Sequence, residues 1–186
     1  RTIDLPYADF QLDGSPHRRY FAQLAGAGLD AEAIALVDWQ SKRRFGPLAY
    51  VIAGIRAMLR PIPLIEVSHD GQSDSGELVL IGNGRFYGGR LPFFANASLD
   101  DGKLDVCVFP KAGFLTAIYI GFWHCLGRFR LPSDVRCFQT NQLTLASKTK
   151  VQFELEGDLI GALPATIGLR PRILRVICPK PSSSAN

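Results

Sequence analysis

No stretch of this chain is apolar for long enough to cross a bilayer. The longest run, Phe114 to Trp123, is about half of the roughly 20 residues that a spanning helix needs. No signal peptide opens the sequence, so a cytoplasmic protein is expected, at most peripheral to a membrane surface. The four cysteines, Cys107, Cys125, Cys137 and Cys178, form neither a Cys-x-x-Cys nor a Cys/His ligand spacing. Zinc is therefore not expected, and buried free thiols in a reducing compartment are. The histidines His17, His69 and His124 stand alone, which leaves no Ser/His/Asp or Cys/His arrangement for nucleophilic catalysis. There is no internal repeat, and low complexity is confined to Ser182-Ser183-Ser184.

What is present suits one domain: 186 residues, 47% hydrophobic and 20% charged. A formal net charge of +4 favours anionic partners such as phosphates or acidic lipid surfaces. The excess is spread thinly, in His17-Arg18-Arg19, Lys42-Arg43-Arg44, Arg128/Arg130 and Arg170/Arg172/Arg175. No nucleic-acid partner is expected from so diffuse a pattern.

The stretch Gly82-Asn83-Gly84-Arg85-Phe86-Tyr87-Gly88-Gly89 organises the middle of the chain. It follows a buried-looking strand, Leu78 to Ile81, and its glycines admit either a ligand or another backbone. No Gly-Lys-Ser/Thr follows, so it is not a P-loop. Before it, Thr2 to Leu5 reads as a short strand ending at Pro6, and Arg19 to Ala25 as a strand closed by Gly26-Ala27-Gly28. Leu29 to Val37 and Pro47 to Leu59 read as helices, the second with Leu48, Val51/Ile52, Ile55 and Met58/Leu59 as its apolar face. The period then changes to two. Leu64 to Val67 and Glu77 to Ile81 read as partner strands around a loop from Asp70-Gly71 to Gly76.

Further strands are expected at Leu104–Phe109, Val135–Thr140, Gln142–Ala146, Lys150–Glu156, Ala165–Leu169 and Ile173–Cys178. Ala112 to Leu126 reads as a helix apolar almost all round: a buried core helix, or else a wall of a lipid pocket or a membrane-facing patch. Helices set among roughly ten strands without regular βαβ alternation predict an α+β domain built on an antiparallel β-sandwich.

Three clusters bear on chemistry. Asp100-Asp101-Gly102 offers oxygens to a hard cation, or is an ordinary Asp-Gly turn. Glu156-Gly157-Asp158, at a hairpin tip, offers carboxylates for a general base, or is a plain turn. Lys42-Arg43-Arg44 offers charge to a phosphate, or is a solvated loop.

The order of segments resembles the C-terminal domain of the diacylglycerol kinase and sphingosine kinase family, its bacterial lipid kinases in particular. The matching pieces are Phe21 through Ala25-Gly26-Ala27-Gly28-Leu29-Asp30-Ala31, Lys42 through Phe45-Gly46-Pro47-Leu48-Ala49-Tyr50, and Asn83 through Tyr87-Gly88-Gly89. Ala97 through Asp101-Gly102-Lys103-Leu104-Asp105-Val106, Glu156-Gly157-Asp158 through Pro164, and the closing Pro171 to Pro179 complete the set. NAD kinases share the broad architecture, but the motif order follows the lipid kinases.

The resemblance implies a two-domain enzyme that moves the γ-phosphoryl group of ATP onto a lipid hydroxyl, diacylglycerol-like or sphingoid. The family's Gly-Gly-Asp-Gly nucleotide signature is absent here. Residues 1–186 therefore correspond to the lipid-substrate domain alone, which is expected to be inactive without the ATP-binding domain. Carried over by position, Glu156 and Asp158 stand where the family has Asp-Gly-Glu, whose first carboxylate is the proposed base. Asp30 matches an acidic position near the substrate headgroup, and Asn83, Tyr87, Gly88 and Gly89 match its substrate side. Arg43, or Lys42, matches a basic position that reaches the ATP phosphates. Asp101, the Lys103 carbonyl and Ser98 match a structural cation site for magnesium, where Ser98 replaces an acid or amide and weak binding or none is expected. The reversed order of Glu156 and Asp158 keeps a second reading open: a non-catalytic lipid- or metabolite-binding module of the same fold.

Overall fold

The structure, a computed structural model, describes residues 1–36, 47–87 and 91–178, and of residues 47–51 the backbone only. Two six-stranded sheets, antiparallel throughout, face each other. The first is built from β1 (Thr2–Leu12), β2 (Ser15–Tyr20), β4 (Ile65–His69), β5 (Gln72–Gly76), β9 (Gln142–Ala146) and β12 (Ala165–Arg175), in the order β2-β1-β12-β9-β4-β5. The second holds β3 (Leu24–Gly28), β6 (Leu78–Gly82), β7 (Leu104–Phe109), β8 (Arg136–Thr140), β10 (Gln152–Leu155) and β11 (Asp158–Ala162), in the order β11-β10-β3-β6-β7-β8. Among the described residues there are three helices: α1 (Leu29–Ala35), α2 (Pro47–Met58) and α3 (Phe114–Cys125). This is the α+β sandwich that the alternating patterns predict.

The sheets differ in what their outer faces meet. Along β4, Ile65, Val67 and His69 are buried while Glu66 and Ser68 are exposed, so the first sheet has one dry face and one wet one. Along β6 and β7 almost every residue is buried. Val79, Ile81, Leu104, Val106 and Val108 enter the core between the sheets, while Leu80, Cys107 and Phe109 enter a second core on the helix side. The continuous apolar runs of these two strands have that two-sided burial as their cause.

Several expectations change. Pro6 does not end the first strand; β1 runs on to Leu12. The Pro6 carbonyl accepts the Phe21 N–H at 3.1 Å, so the missing N–H faces the same side, past the end of β2, where no ladder bond needs it. Gln72 to Gly76 is a strand, not a loop. Asp70 and Gly71, both at positive φ, form a two-residue hairpin turn, and the polar residues after it make an edge strand. Arg19 to Ala25 divides between β2 and β3, and the glycines expected to close a strand lie within β3. Pro171 likewise falls inside β12, which joins the two strands expected around it.

Among the described side chains of α2, Ala53 and Ala57 are buried, while Ile52 and Ile55 are exposed. Small side chains face inward where α2 packs against α1. The buried-core reading of α3 is also overturned, because none of its residues is buried. The cysteines depart from expectation as well. Cys107 and Cys137 are directly opposed on β7 and β8 and form a disulfide, and Cys125 and Cys178 are free but exposed.

Candidate functional site

A cavity of about 870 Å³ opens on the helix side of the second sheet. Its walls are Leu24, Leu29, Ala33, Ile34, Met58 and Leu78, all apolar, and its polar groups are Gln23, Asp30, Tyr87, Glu154 and Glu156. The fold brings these together from distant parts of the chain. Asp30 lies in the first turn of α1, directly after β3. Glu154 pairs with Gly26 across the β10–β3 ladder, and Glu156 occupies the β10–β11 turn. Tyr87 follows β6, the other neighbour of β3.

Gly26 is what lets the acids meet. A Cβ there would lie 2.5 Å from Asp30 Oδ2 and 2.8 Å from Glu154 Oε1, so only glycine leaves room for both carboxyls. The Tyr87 hydroxyl donates to Asp30 Oδ1 at 2.6 Å. The Gly157 N–H donates to Glu154 Oε2 at 2.5 Å. With both acids ionised, Glu154 Oε1 would be buried without a donor. Burial, then the neighbouring Asp30 charge, push the Glu154 carboxyl up to about 8. A proton on Glu154 then supplies the missing bond to Asp30. Burial also raises the Asp30 carboxyl, against the pull of its bonds from Tyr87 and Glu154. Burial and the Asp30 charge hold the Tyr87 hydroxyl well above its ordinary value, so that it keeps its proton. The cavity floor is thus a hydrogen-bonded set of two acids and a phenol in an apolar setting, its carboxyls both raised by burial.

Glu156, at the rim, is exposed and sits at φ 56 before Gly157 at φ 87. Its Oε1 accepts from the Ala22 and Gln23 N–H groups at 2.7 and 2.6 Å and from Leu24 N–H at 3.4 Å. One carboxylate oxygen is anchored on the backbone leading into β3, which leaves Oε2 to meet a ligand. Asp158 begins β11, exposed and not among the residues that line the cavity.

Of the residues singled out by sequence, the structure brings Asp30, Tyr87 and Glu156 to one cavity. Asn83 is elsewhere: fully buried, it donates through Nδ2 to the Ala22 carbonyl at 2.9 Å and the Asp4 carbonyl at 3.4 Å, tying three segments together. The glycines beside it admit side chains of this chain, since a Cβ at Gly82 would strike the Phe94 ring and one at Gly84 the Gln23 amide. Lys42, Arg43, Gly88 and Gly89 lie outside the described residues. Glu154 was not singled out by sequence. A single acid between Phe153 and Leu155, on a strand facing a glycine-rich one, was the signal for it.

No residue of the Ser98 to Lys103 loop lines the cavity. Asp101 Oδ1 accepts the Lys103 N–H at 3.0 Å, and Ser98 Oγ donates to Asp100, which is paired with Arg1 at 2.8 Å. Asp100 is thus engaged by Arg1 and Ser98, while Asp101 spends one oxygen on the Lys103 N–H. Among the described residues no group of three or more His, Cys, Asp or Glu could hold a metal. A second concavity, of about 540 Å³ between β1, β2 and β12, has its charged groups spent: Arg18 donates to both oxygens of Asp9 at 2.6 Å.

Residues 23–178 match the model of the family described as the YegS C-terminal NAD kinase beta sandwich-like domain. A diacylglycerol kinase of Bacillus subtilis is 27% identical over 171 residues, covering 90% of this chain and 56% of that protein. A Stenotrophomonas maltophilia protein described as a YegS-like lipid kinase is 29% identical over 182 residues, covering 96% and 58%. A solved structure from Bacillus anthracis, of a protein assigned as a diacylglycerol kinase, superposes with a TM-score of 0.65 at 22% identity, covering 92% of this chain and 54% of that one. That likeness shows a shared fold. The chain spans about half the length of the curated relatives it matches.

Proposed function

The chain belongs to the family of YegS C-terminal NAD kinase beta sandwich-like domains, and from that premise we propose that it is the lipid-binding half of an ATP-dependent lipid kinase. The carrying observation is the cavity itself. Aliphatic walls give way to a floor of Asp30, Tyr87 and Glu154 and a rim carboxylate, Glu156, which suits an amphipathic molecule with apolar chains and a hydroxylated head. ATP, held chiefly by a partner domain N-terminal to this one, would supply the phosphoryl group. Arg43 and Lys42 are proposed to meet its phosphates.

The Asp30 carboxylate is proposed to accept from a head hydroxyl, with Tyr87 and Glu154 holding it in place. Glu156 Oε2 takes the proton of the hydroxyl to be phosphorylated, while the backbone N–H groups of Ala22 and Gln23 fix the direction of that carboxylate. The domain alone lacks the nucleotide cradle and is expected to be inactive, working at the cytoplasmic membrane surface only as part of a longer protein.

Glu156→Gln, in the two-domain protein, tests the assignment. Turnover on a diacylglycerol or sphingoid alcohol should fall by about 100-fold or more, with KM little changed. Unchanged turnover would remove Glu156 as the base. One observation favours a second reading: three backbone donors on Glu156 Oε1 suffice to explain that residue structurally. A binding module without catalysis would hold lipid in the cavity and show no turnover in any length of the protein.

A further inference from the structure

The proposed function leaves α3 unused, and α3 is built inside out. Leu115, Ile118, Phe122 and Leu126 recur at helical spacing and are 83, 54, 59 and 57% exposed, with Phe114 at 54% beside them. Ile120, on the other side, packs into the helix-side core with Phe129 and Leu131. A water-facing helix has the reverse pattern, and a contiguous apolar face of this kind marks an interaction surface.

Charge narrows the choice of partner. Between Asp105 and Asp134 the sequence has no acidic residue, while Lys111 precedes α3 and Arg128 and Arg130 follow it, all three exposed. The Arg130 guanidinium lies 4.5 Å from the centroid of the Trp123 ring, a pairing that keeps an aromatic and a cation together at the edge of the apolar face. A second copy docked by two-fold symmetry would set this cationic fringe against itself. An anionic bilayer meets both features at once, with acyl chains for the apolar face and phosphates for the fringe. At roughly 18 Å, a helix of this length is too short to span and would lie in the interface plane.

The location also fits. The core that seats Ile120 contains Leu24, Leu29, Ala33, Met58 and Leu78, which line the cavity. The cavity wall and α3 therefore share one side of the second sheet.

We propose that α3 docks the protein onto an anionic lipid bilayer, with Leu115, Ile118 and Phe122 entering the headgroup boundary and Lys111, Arg128 and Arg130 meeting lipid phosphates. The inference rests on the reading of the cavity as a lipid site only for the purpose of docking; the surface itself stands on its exposure and charge.

Co-sedimentation of the full-length protein with vesicles tests it, comparing pure phosphatidylcholine with phosphatidylcholine mixed with phosphatidylglycerol. Binding to the mixed vesicles should exceed binding to the neutral ones and weaken as salt rises. Leu115→Ser with Phe122→Ser should reduce binding to mixed vesicles by about tenfold or more. Arg128→Gln with Arg130→Gln should remove most of the preference for the anionic lipid. Binding of a water-soluble short-chain diacylglycerol, measured on the same variants, reports on the cavity separately and should be unchanged. Its absence in the parent, with the parent's vesicle binding intact, would sink the lipid-cavity reading and leave the docking surface standing. Equal vesicle binding by the parent and the Leu115/Phe122 variant would overturn the docking proposal. So would failure of the parent to bind anionic vesicles, including the case of a parent dimer that the same two substitutions dissociate.

Discussion

Asp4 and Glu154 are equally hidden, each with no exposure to solvent, yet they have opposite surroundings. Asp4 sits in β1, and its two oxygens accept backbone N–H groups, from Gly102 at 2.7 Å and Arg172 at 2.6 Å. Both oxygens have a donor, and the group ties the loop at Gly102 and the neighbouring strand β12 at Arg172 to β1. Glu154 has one backbone donor, Gly157, and its other oxygen faces a second acid. Burial alone therefore does not mark a reactive group. The deciding quantity is the supply of donors, and where it falls short a carboxyl keeps its proton and becomes a donor itself.

The comparison can be broken most forcefully at Asp4. Asp4→Ala leaves two part-buried backbone donors without an acceptor, one of them on Arg172 at φ 49, and should cost about 3 kcal/mol in chemical denaturation. Lipid binding by the folded fraction should be unaffected. Gly26→Ala acts on the other side. Its new Cβ has no room beside Asp30 Oδ2 and Glu154 Oε1, and the acids must part, at about 2 kcal/mol. Here lipid binding should fall well beyond what the stability loss explains; intact binding would show that the acid pair does not serve the cavity.

Glu154→Gln sharpens the contrast without disrupting it, because the amide can donate to Asp30 and accept from Gly157 as the protonated acid does. The folded Glu154 carboxyl titrates near 8, against an ordinary value of 4.5, so the folded state holds a proton that the unfolded chain has released. Its contribution to stability is fully present below pH 4.5 and is lost as pH rises toward 8. Unfolding free energy measured at pH 5 and pH 8 should show this decline in the parent and a flatter profile in the variant. Equal slopes would mean that Glu154 is ionised in the folded protein.

How far the sequence reveals these features follows from where the physics is local. The turns at Asp13-Gly14, Asp70-Gly71 and Glu156-Gly157 are written in residues that tolerate positive φ, and all three are found. The limits of β7 and β9 were legible because apolar spacing and flanking breakers agree. The edge strand β5 was not, since a strand paired on one side and polar on both faces has no hydrophobic period. The inward turn of Ala53 and Ala57 was hidden for another reason: close helix contact selects small side chains over large apolar ones. In the site, Asp30, Tyr87 and Glu156 were found through the order of motifs. Glu154 depends on a non-local fact, that β10 lies against β3 with Gly26 opposite it. The Cys107–Cys137 pair is likewise a matter of strand register, which no spacing within the chain announces.

The smallest effect is expected at Asp100, an acid whose surroundings resemble those of Asp4 in kind but at the surface. The bond from Arg1, then that from Ser98, hold its carboxyl below its ordinary value of 3.8. The sign is opposite to that of Glu154: whatever Asp100 adds is present above pH 3.8 and is lost as the solution is acidified. Because both partners are exposed, the pair is screened by salt and its contribution is slight. Asp100→Asn should leave the unfolding midpoint at neutral pH unchanged within error, in low and high salt alike. A clear loss at neutral pH that high salt does not relieve would show that Asp100 acts through the loop it shares with Ser98 and Lys103, and that the donor supply there is as critical as it is around Asp4.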